Sequence, residues 1–200
     1  MVRLGVTGGI GSGKSYVCRM LAEDFGIPVY NCDIHARIIT LTDFDVISQL
    51  TALDSQMYDN EGELDKVRLA RYMFASEANY KQVNDIIHPA VRLDLHEWLH
   101  HHCNADIVAV ESAILYESHF ETEVDSVLFV DAPLPLRINR VTERDGITIE
   151  QIQQRISRQQ TEQARQRADF VLLNDGQTDL YSQFSAMLDR LCPSITHKLH

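Results

Sequence analysis

The chain has 200 residues, of which 44% are hydrophobic and 24% charged, as is ordinary for one compact domain or a core with a small insertion. A formal net charge of −11 argues against broad binding to nucleic acid, which needs a basic surface, but allows local cationic pockets for small anions. No apolar stretch approaches the roughly 20 residues that span a bilayer, no leader is visible, and the four cysteines form no C-x-x-C pair. We therefore expect a cytoplasmic protein with reduced thiols and with neither a membrane nor a nucleic-acid partner, and the sequence leaves its oligomeric state unknown.

The first half of the chain begins with two strand–helix pairs and continues as helices. Its predicted elements, in chain order, are a strand over residues 2–7, a helix over 15–25, a strand over 27–31, a helix from an Asp33 N-cap to about residue 40, and helices over 44–53, 65–74, 76–87 and 89–102. Pro89 is placed at the first position of the last of these helices, where proline is well tolerated. Because residues 63–103 carry no strand signal, we expect a helical insertion there.

The second half alternates strands and helices. Its predicted elements are a strand over residues 107–111, a short helix over about 113–119, a strand over 126–130, helices over 136–144 and 149–160, the second capped by Thr148, a strand over 170–173 and a C-terminal helix after residues 174–176. This alternation predicts a parallel sheet covered by helices on both faces, a three-layer α/β sandwich.

Residues 8–15 read Gly-Gly-Ile-Gly-Ser-Gly-Lys-Ser, the full G-x-x-x-x-G-K-[ST] pattern, between a predicted strand and a predicted helix. In this pattern, backbone N–H groups and the helix N-terminus surround a phosphate chain. Lys14 can reach the β- and γ-phosphates, and the Ser15 hydroxyl can hold Mg²⁺. We therefore expect a nucleotide-binding core of the P-loop NTP hydrolase type, whose nucleotide contacts come from Gly9, Ile10, Gly11, Ser12, Gly13, Lys14, Ser15 and Tyr16.

Several polar residues follow predicted strands, at the sheet edge where ligands of open α/β folds bind. Asp33 could accept the proton of an attacking hydroxyl or help to hold Mg²⁺, and it could also only cap its helix. Asp131 ends a strand that imitates a Walker B element, although capping the following turn explains it about as well. Glu111 ends its own apolar run and competes for the role of organising Mg²⁺.

Positive charge is concentrated in one segment of this acidic chain. Solvated helical surfaces with ion pairs explain single arginines, but the guanidinium group also suits bidentate phosphate contacts. The segment contains Arg137, Arg140, Arg144, Arg155, Arg158, Arg165 and Arg167.

With these motifs in order, the chain resembles the dephospho-CoA kinase family through nearly its whole length. The phosphate loop alone is generic, but the ordered set is specific. The matching segments are residues 7–15, Asp33-Ile34-His35-Ala36-Arg37, Ile87-His88-Pro89, Ile114-Leu115-Tyr116-Glu117, Arg140, Arg144-Asp145-Gly146, Arg155-Ile156, Gln159, Ala168-Asp169 and Asn174-Asp175-Gly176.

The resemblance implies a P-loop core, a helical CoA domain and an arginine-bearing lid. We assign the core to residues 1–62 and 104–200, with the lid at about 135–165, and the helical substrate domain to 63–103. The implied reaction moves the γ-phosphate of ATP, with Mg²⁺, to the ribose 3′-hydroxyl of dephospho-CoA. By the same resemblance, Asp33 is the base, Lys14 and Arg140 act on the phosphates, Asn174 belongs to the adenine pocket, and the substrate side includes Arg37, His88 and Glu117.

One departure and two alternatives accompany this interpretation. The family often has Asp-Ala-Asp where this chain has Asn31-Cys32-Asp33, so only the second acid is kept. The alternatives are another P-loop kinase acting on a nucleotide or small alcohol and a non-catalytic nucleotide switch. The chain has no Asn-Lys-x-Asp guanine signature, which argues against the switch.

Overall fold

A parallel β-sheet forms the framework of the computed structural model, which describes residues 1–157, 159 and 161–192. Its strands are β1 (Val2–Thr7), β2 (Val29–Asn31), β3 (Ile107–Glu111), β4 (Ser126–Asp131) and β5 (Phe170–Leu173). Their order is β2-β3-β1-β4-β5, and every neighbouring pair is parallel. The order places β1 in the middle, so the loop that follows β1 leaves from the centre of the sheet. This confirms the α/β fold expected from the sequence.

Helices connect and flank the strands. They are α1 (Lys14–Glu23), α2 (Cys32–Thr42), α3 (Phe44–Leu53), α4 (Lys66–Ala75), α5 (Glu77–His101), α6 (Leu134–Asp145), α7 (Ile149–Ser157), α8 (Thr161–Arg167) and α9 (Leu180–Leu191), with a 3-10 turn at Phe120–Glu123. None of the described helices combines the length and apolarity that crossing a bilayer requires. No disulfide joins the four cysteines, all of which lie in described parts of the chain.

The chain divides into two compact units, a core unit of Met1–Asn31 with His102–His200 and a helical unit of Cys32–His101. In the core unit, apolar side chains of the sheet pack against α1 and α9, as Val6, Leu21 and Phe184 illustrate. The helical unit begins at Cys32, whereas the insertion predicted from the sequence begins at residue 63. The difference arises because α2 and α3 pack on α5, so that their apolar sides are buried within this unit.

One continuous helix, α5, replaces the two helices that the sequence predicted, so the prediction that Pro89 starts a helix is wrong. A proline inside a helix removes one backbone hydrogen bond and crowds the preceding turn. The helix nevertheless continues because its buried stripe crosses the proline without a break. The stripe consists of Val83, Ile87, Val91, Leu95 and Leu99, spaced four residues apart, and it packs against the other helices of the unit.

Three further local predictions need correction. Helix α2 begins at Cys32, so Asp33 lies in its first turn and not at the N-cap, where a carboxylate still faces the positive end of the helix dipole. Residues 113–119 form turns and no α-helix, because the His119 N–H bonds to the Tyr116 carbonyl three residues back, the Phe120 N–H bonds to the Leu115 carbonyl five residues back, and His119 has a positive φ of 57°. Helix α8 was not predicted. The predicted helix over residues 149–160 is observed as Ile149–Ser157, and its predicted last residue lies outside the described residues.

Candidate active site

The phosphate loop, residues 8–15, joins β1 to α1. Gly11 and Gly13 have φ values of 77° and 93°, which side-chain-bearing residues rarely adopt, and both also lie against neighbouring groups. A Cβ on Gly13 would lie 2.2 Å from Asn174 Nδ2, and one on Gly11 would lie 2.4 Å from the backbone oxygen of Arg137. Lys14 Nζ donates to the carbonyl oxygens of Gly8 at 2.7 Å and Gly9 at 3.3 Å. The glycines are therefore required both by the turn and by close packing around it.

Side chains from the second half of the chain hold the carbonyl groups of this loop. The Ser12 carbonyl accepts from Asn174 Nδ2 at 2.9 Å and from Arg140 Nη1 at 3.3 Å. The Ile10 carbonyl accepts from Arg137 Nε at 2.9 Å, while the Ile10 N–H donates to Gln159 Oε1 at 2.8 Å. Arg140 also donates to the backbone and side-chain oxygens of Asn174. Two residues expected to contact ATP, Arg140 and Asn174, are thus brought together at the loop.

A buried carboxylate lies beside the end of the loop. Glu111, the last residue of β3, accepts from Ser15 Oγ at 2.8 Å and from Asn31 Nδ2 at 2.5 Å. Asp131, the alternative acid for organising Mg²⁺ that the sequence left open, accepts from Arg165 Nε at 2.9 Å. A hydroxyl and a carboxylate in contact are oxygen ligands of the kind that Mg²⁺ takes. The geometry therefore favours Glu111 over Asp131 as the acid beside Ser15.

Burial also affects a thiol near this carboxylate. Cys18 is buried on α1, and its pKa is raised mainly by burial and secondarily by the negative charge of Glu111. The thiol is therefore neutral at physiological pH and belongs to the packing of the core unit.

The two widest cavities that adjoin the loop lie within the core unit. The larger, of about 700 Å³, is lined by the Tyr16 and Tyr181 rings together with Gly13, Met20 and Asn174. The smaller, of about 180 Å³, is lined by loop residues and by Arg140, Val141 and Arg144. The larger cavity is therefore partly aromatic in its lining, and the smaller one includes Lys14 and Ser15.

The expected substrate-side residues lie on three different elements. Asp33 and Arg37 are exposed and lie four residues apart on α2, so they share one face of that helix. His88 is half-buried on α5, directly before Pro89. Glu117 belongs to the core unit, where it is exposed and lines a narrow pocket with Gly8. The three residues of the helical unit are therefore placed on α2 and α5.

The arginine-rich segment gives two side chains to the phosphate loop, Arg137 and Arg140. Its other described members form ion pairs, as the solvated-surface interpretation expects. These pairs are Arg144 with Asp145 at 2.7 Å, Arg155 with Asp145 at 3.8 Å, Arg165 with Asp131 at 2.9 Å and Arg167 with Glu121 at 3.2 Å. Arg158 lies outside the described residues.

Comparison with known proteins decides which P-loop family has this site. A family model for dephospho-CoA kinase matches residues 2–179. The chain belongs to the dephospho-CoA kinase family. Dephospho-CoA kinase of Bacteroides fragilis is 42% identical over 188 residues, covering 94% of this chain and 91% of that protein. Dephospho-CoA kinase of Porphyromonas gingivalis is 44% identical over 177 residues, covering 87% and 86%.

A solved structure agrees with this membership. The crystal structure of TT1252 from Thermus thermophilus superposes with a TM-score of 0.83 at 33% sequence identity, covering 95% of this chain and 97% of that one. The dephospho-CoA kinase family resemblance read from the ordered motifs is therefore confirmed.

Sequence reasoning missed part of the surroundings of the loop in this dephospho-CoA kinase family member. Asn31 was noted only as a departure from the family pattern, yet its amide donates to Glu111. Arg137 was noted only as one of seven arginines, yet it is buried against the loop. Its spacing of three residues from Arg140, on one predicted helix, was the signal that both could face the same neighbour.

Proposed function

We propose that the chain transfers the γ-phosphate of ATP to the ribose 3′-hydroxyl of dephospho-CoA, giving coenzyme A and ADP. The observation that carries this proposal is a complete phosphate loop, with Ser15 bonded to a buried Glu111, in a chain that matches the family model over residues 2–179. We also propose that the reaction takes place in the cytoplasm, since the four cysteines of the chain form no disulfide.

The donor side of the reaction belongs to the core unit. The loop amides and Lys14 would bind the β- and γ-phosphates of ATP, and the cavity between Tyr16 and Tyr181 would take the adenine beside Asn174. Ser15 and Glu111 fit Mg²⁺, which would supply neutralisation of phosphate charge. Arg140 bonds the loop through Nη1 and Asn174 through both terminal nitrogens, and its charge would remain available to the phosphates.

For binding the acceptor we propose Asp33, Arg37 and His88 of the helical unit. Glu117 of the core unit is proposed separately, from the family resemblance. Asp33 would receive the proton of the 3′-hydroxyl as the oxygen attacks phosphorus. Because the transition state of phosphoryl transfer is loose, this carboxylate does not need to ionise the alcohol beforehand. Its help is general-base catalysis, typically worth about 10²–10⁴-fold in rate.

The deciding measurement is ATP consumption with and without dephospho-CoA, with mass-spectrometric detection of coenzyme A. Nucleoside monophosphates and sugar acids serve as competing acceptors. Transfer to one of these and not to dephospho-CoA would show that the acceptor is wrong, and nucleotide-dependent partner capture without transfer would favour a switch.

Two variants test the assigned roles. Asp33→Asn should keep ATP affinity while kcat falls by about 10²–10⁴-fold, since only the base is removed. Asp45→Asn is the matched control, because it also changes an exposed acid in the first turn of a helix of the same unit. Near-normal turnover of Asp33→Asn would contradict the assignment of Asp33 as the base. Lys14→Ala should abolish transfer, and retained activity would overturn the role of the phosphate loop.

A further inference from the structure

Arg137 is a buried cation with an unused hydrogen-bond donor, located directly behind the phosphate loop. Its side chain is 7% exposed, and burial lowers its pKa although Asp131 acts in the opposite direction. Nη2 is completely enclosed and has no hydrogen-bond partner in the described structure. Burying a charge with an unpaired donor costs free energy, so this arginine cannot be explained as part of a solvated helical surface.

The guanidinium is interlocked with the loop. A Cβ on Gly9 would lie 2.1 Å from Nη2, and Arg137 Nε donates to the Ile10 carbonyl at 2.9 Å. The backbone of α6 is just as close, because a Cβ on Gly11 would meet the Arg137 carbonyl oxygen. Arg137, which lies on α6, therefore contacts three consecutive loop residues.

The bond to Ile10 fixes the direction of one peptide group. In a planar trans peptide, the C=O of Ile10 and the N–H of Gly11 point in opposite directions. Because the Ile10 C=O points to the Arg137 guanidinium, the N–H of Gly11 is directed away from that guanidinium. Asn174 and Arg140 hold the Ser12 carbonyl in the same manner, which orients the N–H of Gly13.

We propose that Arg137 is a positioning residue for phosphate binding: it holds the Ile10–Gly11 peptide so that the Gly11 N–H donates to a nucleotide phosphate, and its buried charge supports that anion. Asn174 and Arg140 hold the Ser12–Gly13 peptide in the same way. The proposal rests on the proposed function only for the identity of the nucleotide.

The test is a titration of the ¹⁵N-labelled full chain with Mg²⁺·ADP, followed at the amide resonances of Gly11 and Gly13. In the wild-type chain both resonances should move. In Arg137→Met the Gly11 response should shrink while that of Gly13 persists, since a different pair of side chains holds the Ser12–Gly13 peptide. The Kd for Mg²⁺·ADP should rise by about 10- to 100-fold, as expected for loss of one hydrogen bond from a charged donor.

Two further variants separate positioning from folding. Arg137→Lys retains the charge but not the Nε donor, and should recover affinity only in part. Arg190→Met, which removes an exposed arginine of the same unit, should leave affinity and both amide responses unchanged. Unaltered affinity and an unaltered Gly11 response in folded Arg137→Met would overturn the proposal.

Should Arg137→Met fail to fold, the wild-type chain gives the answer. The Arg137 Nε–H resonance should exchange slowly with water throughout the ADP titration, and rapid exchange would refute the bond on which the proposal depends. ADP binding needs no acceptor, so a failure to phosphorylate dephospho-CoA would contradict the proposed function and leave this result standing.

Discussion

Glu111→Gln should change the free energy of unfolding and the affinity for Mg²⁺·ADP in opposite directions. Glu111 is 6% exposed, and its carboxylate accepts from neutral donors, Ser15 Oγ and Asn31 Nδ2, with the neutral Cys18 thiol also beside it. It has no ion pair to a described lysine or arginine. Hydrogen bonds to a charged group contribute about 1.5–3 kcal/mol each, whereas an ion out of water costs several kcal/mol. These terms nearly cancel, so the neutral isostere should be as stable as the wild type or more stable by about 1–2 kcal/mol.

The functional effect should have the opposite sign. At a Mg²⁺·ADP concentration of about 100 times the wild-type Kd, binding stabilises the folded chain by about 2.7 kcal/mol. A tenfold weaker site would give about 1.4 kcal/mol at the same concentration, a difference of roughly 3–5 °C in Tm for a chain of this size. The assay is thermal unfolding with and without Mg²⁺·ADP, together with turnover as a function of Mg²⁺ concentration.

The control is Asp131→Asn, which changes the acid that pairs with Arg165. Its Mg²⁺ dependence should stay close to that of the wild type. Full Mg²⁺·ADP stabilisation and turnover in Glu111→Gln, together with their loss in Asp131→Asn, would refute the assignment and identify Asp131 as the organising acid.

Three further predictions concern stability and thiol reactivity. Pro89→Ala should stabilise the chain by about 1–3 kcal/mol in urea unfolding, because the exposed position lies inside α5 and alanine restores a backbone donor; a loss of stability would contradict this explanation. Asp125→Asn should destabilise by about 1 kcal/mol or less at pH 7, because Arg3 lowers the pKa of this half-exposed carboxyl. That contribution is present above the unfolded pKa of about 3.9 and is lost as pH falls through the lower folded pKa, so the variant and the wild type should become equally stable below the folded pKa. A stability difference that stays constant with pH would refute the linkage. At pH 8 a disulfide reagent should modify exposed Cys103 rapidly and spare Cys18, whose pKa is raised by burial, until the chain is unfolded; equal rates would contradict that burial.

The strands and the phosphate loop were predictable because their signals are local. Residues 44–53 form a helix with the bounds that the sequence predicted, and Asp43 caps it as a short polar residue should. The parallel sheet followed from the alternation of strands and helices. Each of these inferences needs only neighbours in sequence.

The remainder depended on tertiary packing. A proline predicts a helix boundary, but the buried stripe of α5 outweighs the lost hydrogen bond at Pro89. The choice between Glu111 and Asp131 could not be made from the sequence, because β3 and β4 both adjoin β1. Only the side-chain contact between the end of β3 and the start of α1 shows that Glu111 reaches Ser15. The burial of Arg137 likewise depends on how α6 packs against the loop.

The central position of β1 has a consequence for hydrogen exchange. Four consecutive residues of this strand are buried, and its backbone is paired with β3 on one side and β4 on the other, so its amides should exchange slowly with water. The phosphate loop starts where this strand ends, so its first residues are attached to a buried strand in the middle of the sheet. Because the start of the loop is ordered when the chain folds, nucleotide binding should lose little conformational entropy there, which favours a higher affinity.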